Sequence, residues 1–257
     1  MAVRRCGGYG LLAIVTVWAA LQLPTPAAAL TSTDVRVGVK QNMHALLMAP
    51  DDAGPHPGVL VLHTSGGLQP ADIEFAKRLA GNGYVCLVPS FMAAYGITGR
   101  TRALTFTTDA EPIYADFVAA LDMLEHTPQV GGGKLGAVGF SNGAYFALWL
   151  AATNKVQAGV SYYGALSGAG TDKELNRFRA VFNKNSSPVL VMHGSNDETV
   201  PVQVANHMSA VLAAAGSPHE VKIYDGAGHS FERLPGSEGA AADAWKRTLA
   251  FFAEYLK

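Results

Sequence analysis

Ser141 sits in Gly139-Phe140-Ser141-Asn142-Gly143, a G-x-S-x-G pentapeptide where the apolar run Leu135 to Phe140 gives way to a helical pattern. The chemistry that such a spacing serves is nucleophilic attack. A sharp strand-to-helix turn needs small residues two before and two after the serine, and it then lifts the hydroxyl clear of the sheet. A serine hydroxyl is a weak nucleophile at its ordinary pKa, so it requires a histidine base and a carboxylate to orient that base. Asp197 follows the apolar run Val189 to His193 and a turn at Gly194, and His229 lies in the loop Gly226-Ala227-Gly228-His229-Ser230-Phe231. The order Ser141, Asp197, His229, each just past the end of a strand, suits acyl transfer through an acyl-enzyme intermediate.

Two other carboxylates compete for the orienting role. Asp225 is so near His229 in sequence that it would have to fold back on it, and Glu198 adjoins Asp197. Asp197 is preferred because turns after buried strands display functional side chains in open α/β sheets. Acyl transfer also needs donors for the developing oxyanion. The backbone N–H of Asn142, directly after the nucleophile, supplies one; the second comes from His63-Thr64-Ser65-Gly66-Gly67, with Ser65 N–H the first choice and Thr64 the alternative. His193, beside Gly194, reads as a brace for the acid loop. Phe91, Met92, Tyr95, Ile97, Phe106 and Tyr145 read equally well as lining for an apolar acyl or alcohol pocket and as core.

Positioning these residues calls for strands alternating with helices. Val35 to Lys40 and Met43 to Met48 read as a leading antiparallel hairpin. Short apolar runs suited to strands covered on both faces follow at Val59 to His63, Tyr84 to Pro89, Leu135 to Phe140, Val156 to Tyr162 and Val189 to His193, with Val221 to Tyr224 last. Helical patterns fall at Ala71 to Asn82, Pro112 to His126, Gly143 to Thr153, Val202 to Ala215 and Gly239 to Tyr255. This alternation predicts an α/β fold, a mostly parallel central sheet with helices on both faces. Phe91 to Glu111 fits neither period and is expected to be a long loop or short helices over a pocket.

Before that domain comes a separable segment. Arg4 and Arg5 precede the apolar run Leu11 to Leu23, then Pro24, Pro26 and Ala27-Ala28-Ala29, the layout of a signal peptide cleaved after Ala29. The run is too short for a comfortable membrane span, which takes about 20 apolar residues. The expected organisation is therefore residues 1–29 as signal and 30–257 as one domain, exported to the periplasm or beyond the cell and with no stable membrane span. Of the 2 cysteines, Cys6 would leave with the signal and Cys86 reads as a small core residue in a strand.

With 19 Lys plus Arg against 20 Asp plus Glu, the chain has a formal net charge of −1 and no basic patch for nucleic acid. At 49% hydrophobic residues it can bury a sizeable core, which excludes wholesale disorder. Gly131 to Gly136 satisfies G-x-G-x-x-G but precedes a strand instead of following one, so no dinucleotide site is expected. No His/Cys/Glu grouping has zinc-ligand spacing.

Taken together, Val59 to Ser90, Gly136 to Gly143, Ser161-Tyr162-Tyr163-Gly164, Pro188 to Gly194 with Asp197, and Gly228-His229-Ser230-Phe231 resemble the dienelactone hydrolase family of α/β-hydrolases. The likeness spans roughly Thr33 to Lys257. It implies an α/β-hydrolase fold and a hydrolase acting on small-molecule esters or lactones without metal or organic cofactor. Ser141, Asp197 and His229 would form its triad, and the backbone of Ser65 and Asn142 its oxyanion hole. The chain departs from the family's founding enzymes at two positions, with Ser141 in place of a cysteine and Thr64 in place of a glutamate, so a general serine esterase is the expected activity. A peptidase or acyl-peptide hydrolase on the same fold would cleave aminoacyl amides, and a non-catalytic binding protein would leave His229 and Asp197 apart from Ser141.

Overall fold

The computed structural model describes residues 30–52, 54–164 and 173–257, so the segment read as a signal peptide lies outside the described residues. Eight strands form one sheet: β1 (Leu30–Val37), β2 (Met43–Pro50), β3 (Gly58–Leu62), β4 (Val85–Pro89), β5 (Leu135–Phe140), β6 (Ala158–Tyr162), β7 (Val189–Gly194) and β8 (His219–Tyr224). Their spatial order is β1-β2-β4-β3-β5-β6-β7-β8. β1 and β2 pair antiparallel, β2 joins β4 antiparallel, and every pairing from β4 to β8 is parallel. Strands β3 to β7 are buried at every residue, as continuous apolar runs covered on both faces must be.

Two apolar layers sandwich the sheet. Helices α1 (Pro70–Ala80) and α7 (Glu238–Leu256) cover one face through Phe75, Leu79, Phe251 and Phe252. Helices α3 (Ala110–Glu125), α4 (Asn142–Ala152), α5 (Lys173–Val181) and α6 (Gln203–Ala215) cover the other, through residues such as Phe117, Phe146, Phe178 and Met208. Helix α4 is buried at every residue and apolar on all sides, so it is the central helix of its layer.

The segment after β4 is a pair of short helices, α2 (Phe91–Ala94) and a 3-10 helix (Arg102–Phe106), pinned by buried Phe91, Met92, Ile97 and Phe106. Helix α5 had no sequence-level counterpart. Among the described residues it is anchored in the core by Phe178, by Val181 and by Phe182 just past its end, too short a pattern to stand out. Strand β8 begins at His219, two residues before its apolar run, because its half-buried edge position accepts polar side chains.

Chain direction reverses its lateral progress at β3. From there the chain moves to β4 on one side, and later to β5 on the other. The carboxyl ends of β3 and β5 thus flank the switch point, where open α/β sheets hold ligands.

Two glycines let β5 turn into α4 at that point. A Cβ on Gly139 would lie 2.3 Å from the carbonyl carbon of Gly143, and one on Gly143 would lie 2.2 Å from the Leu62 carbonyl oxygen. These are backbone obstacles that no rotamer change relieves. Gly143→Ala should therefore cost at least about 3 kcal/mol, lowering Tm by about 6–12 °C. Gly239→Ala, in α7 with open space around it, should be neutral or stabilising by up to about 1 kcal/mol. Calorimetry of both variants checks the contrast.

Candidate active site

Ser141 follows β5 with φ 51° and ψ −112°, a conformation that costs a non-glycine residue strain. It is held there from both sides. Its own N–H donates to the Tyr162 carbonyl at the end of β6 (3.0 Å), and Gly139 and Gly143 allow the turn to close. Helix α4 begins with Asn142, whose N–H belongs to the first turn and has no acceptor within the helix. The Asn142 side chain is buried and donates to Thr105 Oγ1 (3.0 Å), tying the 3-10 helix to the Ser141 turn.

Asp197 and His229 come together from the ends of β7 and β8. His229 Nδ1–H donates to Asp197 Oδ2 at 2.7 Å. The other carboxylate oxygen, Oδ1, accepts the backbone N–H groups of Thr199 (2.9 Å) and Val200 (2.7 Å). Burial alone pushes this carboxyl up, but hydrogen bonds from His193, His229 and Val200 outweigh that effect and hold it well below the usual carboxylate range. It therefore stays ionised and fixes the His229 tautomer with a bare Nε2. His193 Nε2–H donates to the Val200 carbonyl at 2.8 Å and lies 3.3 Å from Asp197 Oδ2, closing the acid loop.

The two loops are laced to each other by backbone. Ser195 N–H donates to the Tyr224 carbonyl and Asn196 N–H to the Ala227 carbonyl, both at 2.9 Å. A Cβ on Gly194 would lie 2.1 Å from the Ala227 oxygen. Asp225 and Glu198, the rival acids, are exposed, and Asp225 accepts a hydrogen bond from Ser195 Oγ (3.3 Å).

Tyr163 lies between this pair and the strand end that bonds the Ser141 N–H. Its N–H donates to the Met192 carbonyl (2.7 Å), and its ring meets His229 edge-on at 4.6 Å between centroids. Its hydroxyl donates to Glu232 Oε1 (2.6 Å), which also accepts Arg233 Nε–H (2.6 Å), and Arg233 reaches towards Asp72 (3.7 Å). Sequence reading missed this group, although Glu232 and Arg233 directly follow the Gly-His-Ser-Phe run.

On the opposite side stands the loop after β3. Gly67 N–H donates to the Thr64 carbonyl (3.2 Å) and Gly66 N–H to Thr64 Oγ1 (3.1 Å), while Ser65 N–H has no acceptor among the described residues. A Cβ on Gly99 would lie 3.8 Å from the Ser65 carbonyl oxygen, so the loop borders the cleft of about 730 Å³ lined by Thr98, Gly99, Arg100, Arg102 and Ala103. Of the residues considered for an apolar pocket, Phe91, Met92, Ile97, Phe106 and Tyr145 are buried core and Tyr95 is half-buried. Cys86 is core as well; burial pushes its thiol far up, so it remains unionised.

A strained serine on a strand-to-helix turn, with an Asp–His pair at the same edge of a mostly parallel sheet, defines an α/β-hydrolase fold. Residues 43–256 match the family model of the dienelactone hydrolase family, and the chain belongs to that family. It is 30% identical to carboxymethylenebutenolidase of Rhodococcus opacus over 82% of this chain and 86% of the relative. A crystal structure of a dienelactone hydrolase-like promiscuous phosphotriesterase from metagenomic libraries shares 26% identity and a TM-score of 0.73, covering 89% of this chain and 100% of that one. Dienelactone hydrolase from Anabaena variabilis has the same fold, with 24% identity, a TM-score of 0.64, and coverage of 90% and 100%.

His63, fully buried between β3 and the Thr64 turn, gives the site a pH signature. Burial pushes its imidazole down from 6.5 to about 4, against a smaller upward effect of its bond to Thr64. Between those values the unfolded chain binds the proton and the folded chain does not. Stability should therefore fall as pH drops from about 6.5 to about 4, by at most about 3 kcal/mol from this group. Urea denaturation at stepped pH checks it, with His63→Phe lacking this component.

Proposed function

We propose that the protein hydrolyses carboxylic esters or lactones through an acyl-enzyme on Ser141, with Asp197 and His229 completing the triad. The observation that carries this reading is the 2.7 Å His229–Asp197 pair, built at the ends of β7 and β8 in the same parallel run of strands as β5, which ends in the strained Ser141 turn. Membership of the dienelactone hydrolase family and the carboxymethylenebutenolidase name of the Rhodococcus relative support the ester and lactone chemistry.

In the first step His229 Nε2 takes the Ser141 proton as the oxygen attacks the carbonyl carbon, and Asp197 stabilises the imidazolium that forms. The N–H groups of Asn142 and Ser65 receive the negative charge on the carbonyl oxygen. Collapse expels the alcohol, which takes the proton from His229. Water then attacks the acyl-enzyme by the same route, releasing the acid and restoring Ser141. The substrate is a small molecule approaching through the cleft beside Ser65 and the 3-10 helix. Residues 1–29 direct export, and maturation follows Ala29.

The test is turnover of activated esters of graded chain length, lactones and aminoacyl amides by the purified protein. Ester and lactone hydrolysis should exceed amide cleavage. Ser141→Ala should lower kcat by at least about 10⁴-fold and Asp197→Asn by about 10⁴-fold, with folding retained. Undiminished activity in Ser141→Ala would refute the reading.

A further inference from the structure

We propose that His63 is a positioning residue for the oxyanion hole, clamping the Thr64 carbonyl so that the Ser65 N–H of the same peptide unit faces the reacting oxygen. This rests on the serine-hydrolase reading above. The ring is fixed before any substrate arrives: it is fully buried and stacked on Phe91, with centroids 4.1 Å apart and planes 12° from parallel. Phe91 is itself wedged edge-on against Phe117 and Phe146.

His63 Nδ1 lies 2.7 Å from the Thr64 carbonyl oxygen. That oxygen can only accept, so Nδ1 carries the proton, and burial keeps the ring neutral. Nε2 is then a bare acceptor. It is buried and has no partner among the described residues. The opposite tautomer would leave a buried N–H unpaired and set two lone pairs face to face, so this one is enforced.

Peptide planarity converts the clamp into an orientation. In a trans peptide the C=O of one residue and the N–H of the next point in opposite directions. The Thr64 carbonyl is held by two donors, His63 Nδ1–H and Gly67 N–H. The Ser65 N–H is thereby turned away from them and has no acceptor among the described residues. The backbone of His63 also abuts the nucleophile turn, since a Cβ on Gly143 would lie 2.7 Å from the His63 carbonyl oxygen. One residue thus sets both the direction of the Ser65 donor and the spacing of its loop from the turn that carries the Asn142 N–H.

A purely structural role does not account for an imidazole here. Phenylalanine would keep the stack on Phe91 without burying an unpaired nitrogen, and such unpaired groups in native interiors call for a function. His63→Phe preserves the stack and removes the donor; His63→Asn places an amide N–H near the position of Nδ1. Each is assayed on a p-nitrophenyl ester and with a trifluoromethyl ketone, whose adduct with Ser141 carries the oxyanion.

His63→Phe should lower kcat by about 10- to 100-fold with KM within a factor of about two, and weaken the ketone by a similar factor. Its Tm should not fall at pH 8, and His63→Asn should restore most of kcat. In the wild type, ¹⁵N NMR should show His63 protonated at Nδ1 only, which tests the clamp even where a variant fails to fold. Wild-type kcat and ketone affinity in a folded His63→Phe, or a proton on Nε2, would overturn the proposal while leaving Ser141-dependent turnover intact. Absence of Ser141-dependent turnover in the wild type would instead remove the reading on which it rests.

Discussion

Backbone meets backbone where β5 turns into α4. Gly143 lies so close to the end of β3 that a Cβ there would sit 2.2 Å from the Leu62 oxygen and 2.7 Å from the His63 oxygen. That contact brings the Ser141 turn and the loop after β3 to one point at the switch in strand order. It also leaves Ser141 in the left-handed region, strained and raised at the sheet's edge. A side chain at either glycine would force the Ser141 turn out of this shape, whatever else the fold preserved.

Around this contact two carboxylates, the buried Asp197 and the half-buried Glu232, make different sets of bonds. Asp197 is well supplied with donors: two backbone N–H groups on one oxygen and His229 on the other, with His193 Nε2 3.3 Å from that second oxygen. It is therefore held in its charged form, and it holds the His229 ring in one tautomer. Glu232 instead binds Tyr163 and Arg233 through one oxygen, with the other buried and unpartnered among the described residues. It stiffens Tyr163, the residue whose ring supports His229.

Much of this was legible from residue types alone. Alternating apolar runs and helical patterns specify the α/β sheet, because strands covered on both faces cannot be polar. G-x-S-x-G marks the elbow because the two glycines answer a steric demand that the structure displays at 2.2 and 2.3 Å. The Asp197–His229 pair followed from order and loop placement. What stayed hidden depends on long-range packing. His63 looks like any residue at a strand end until its ring is seen against Phe91. Glu232 and Arg233 look like a solvated charge pair until Tyr163 closes over them. The aromatics Phe106 and Tyr145 read equally as pocket or core because apolarity does not say which cavity a side chain fills, and their mutual edge-on packing at 5.1 Å places them in the core. Helix α5 is held by Phe178, Val181 and Phe182, anchors that periodicity cannot distinguish from chance.

The covalent intermediate is the most direct point of attack on this account. Rapid mixing of excess p-nitrophenyl ester with the protein, followed by acid quench and peptide mass mapping, reads both stoichiometry and location. The account predicts a burst of about one p-nitrophenol per chain and an acyl mass increment on Ser141 alone. An acyl group on another residue, or turnover with a bare Ser141 under conditions where deacylation limits the rate, would contradict it.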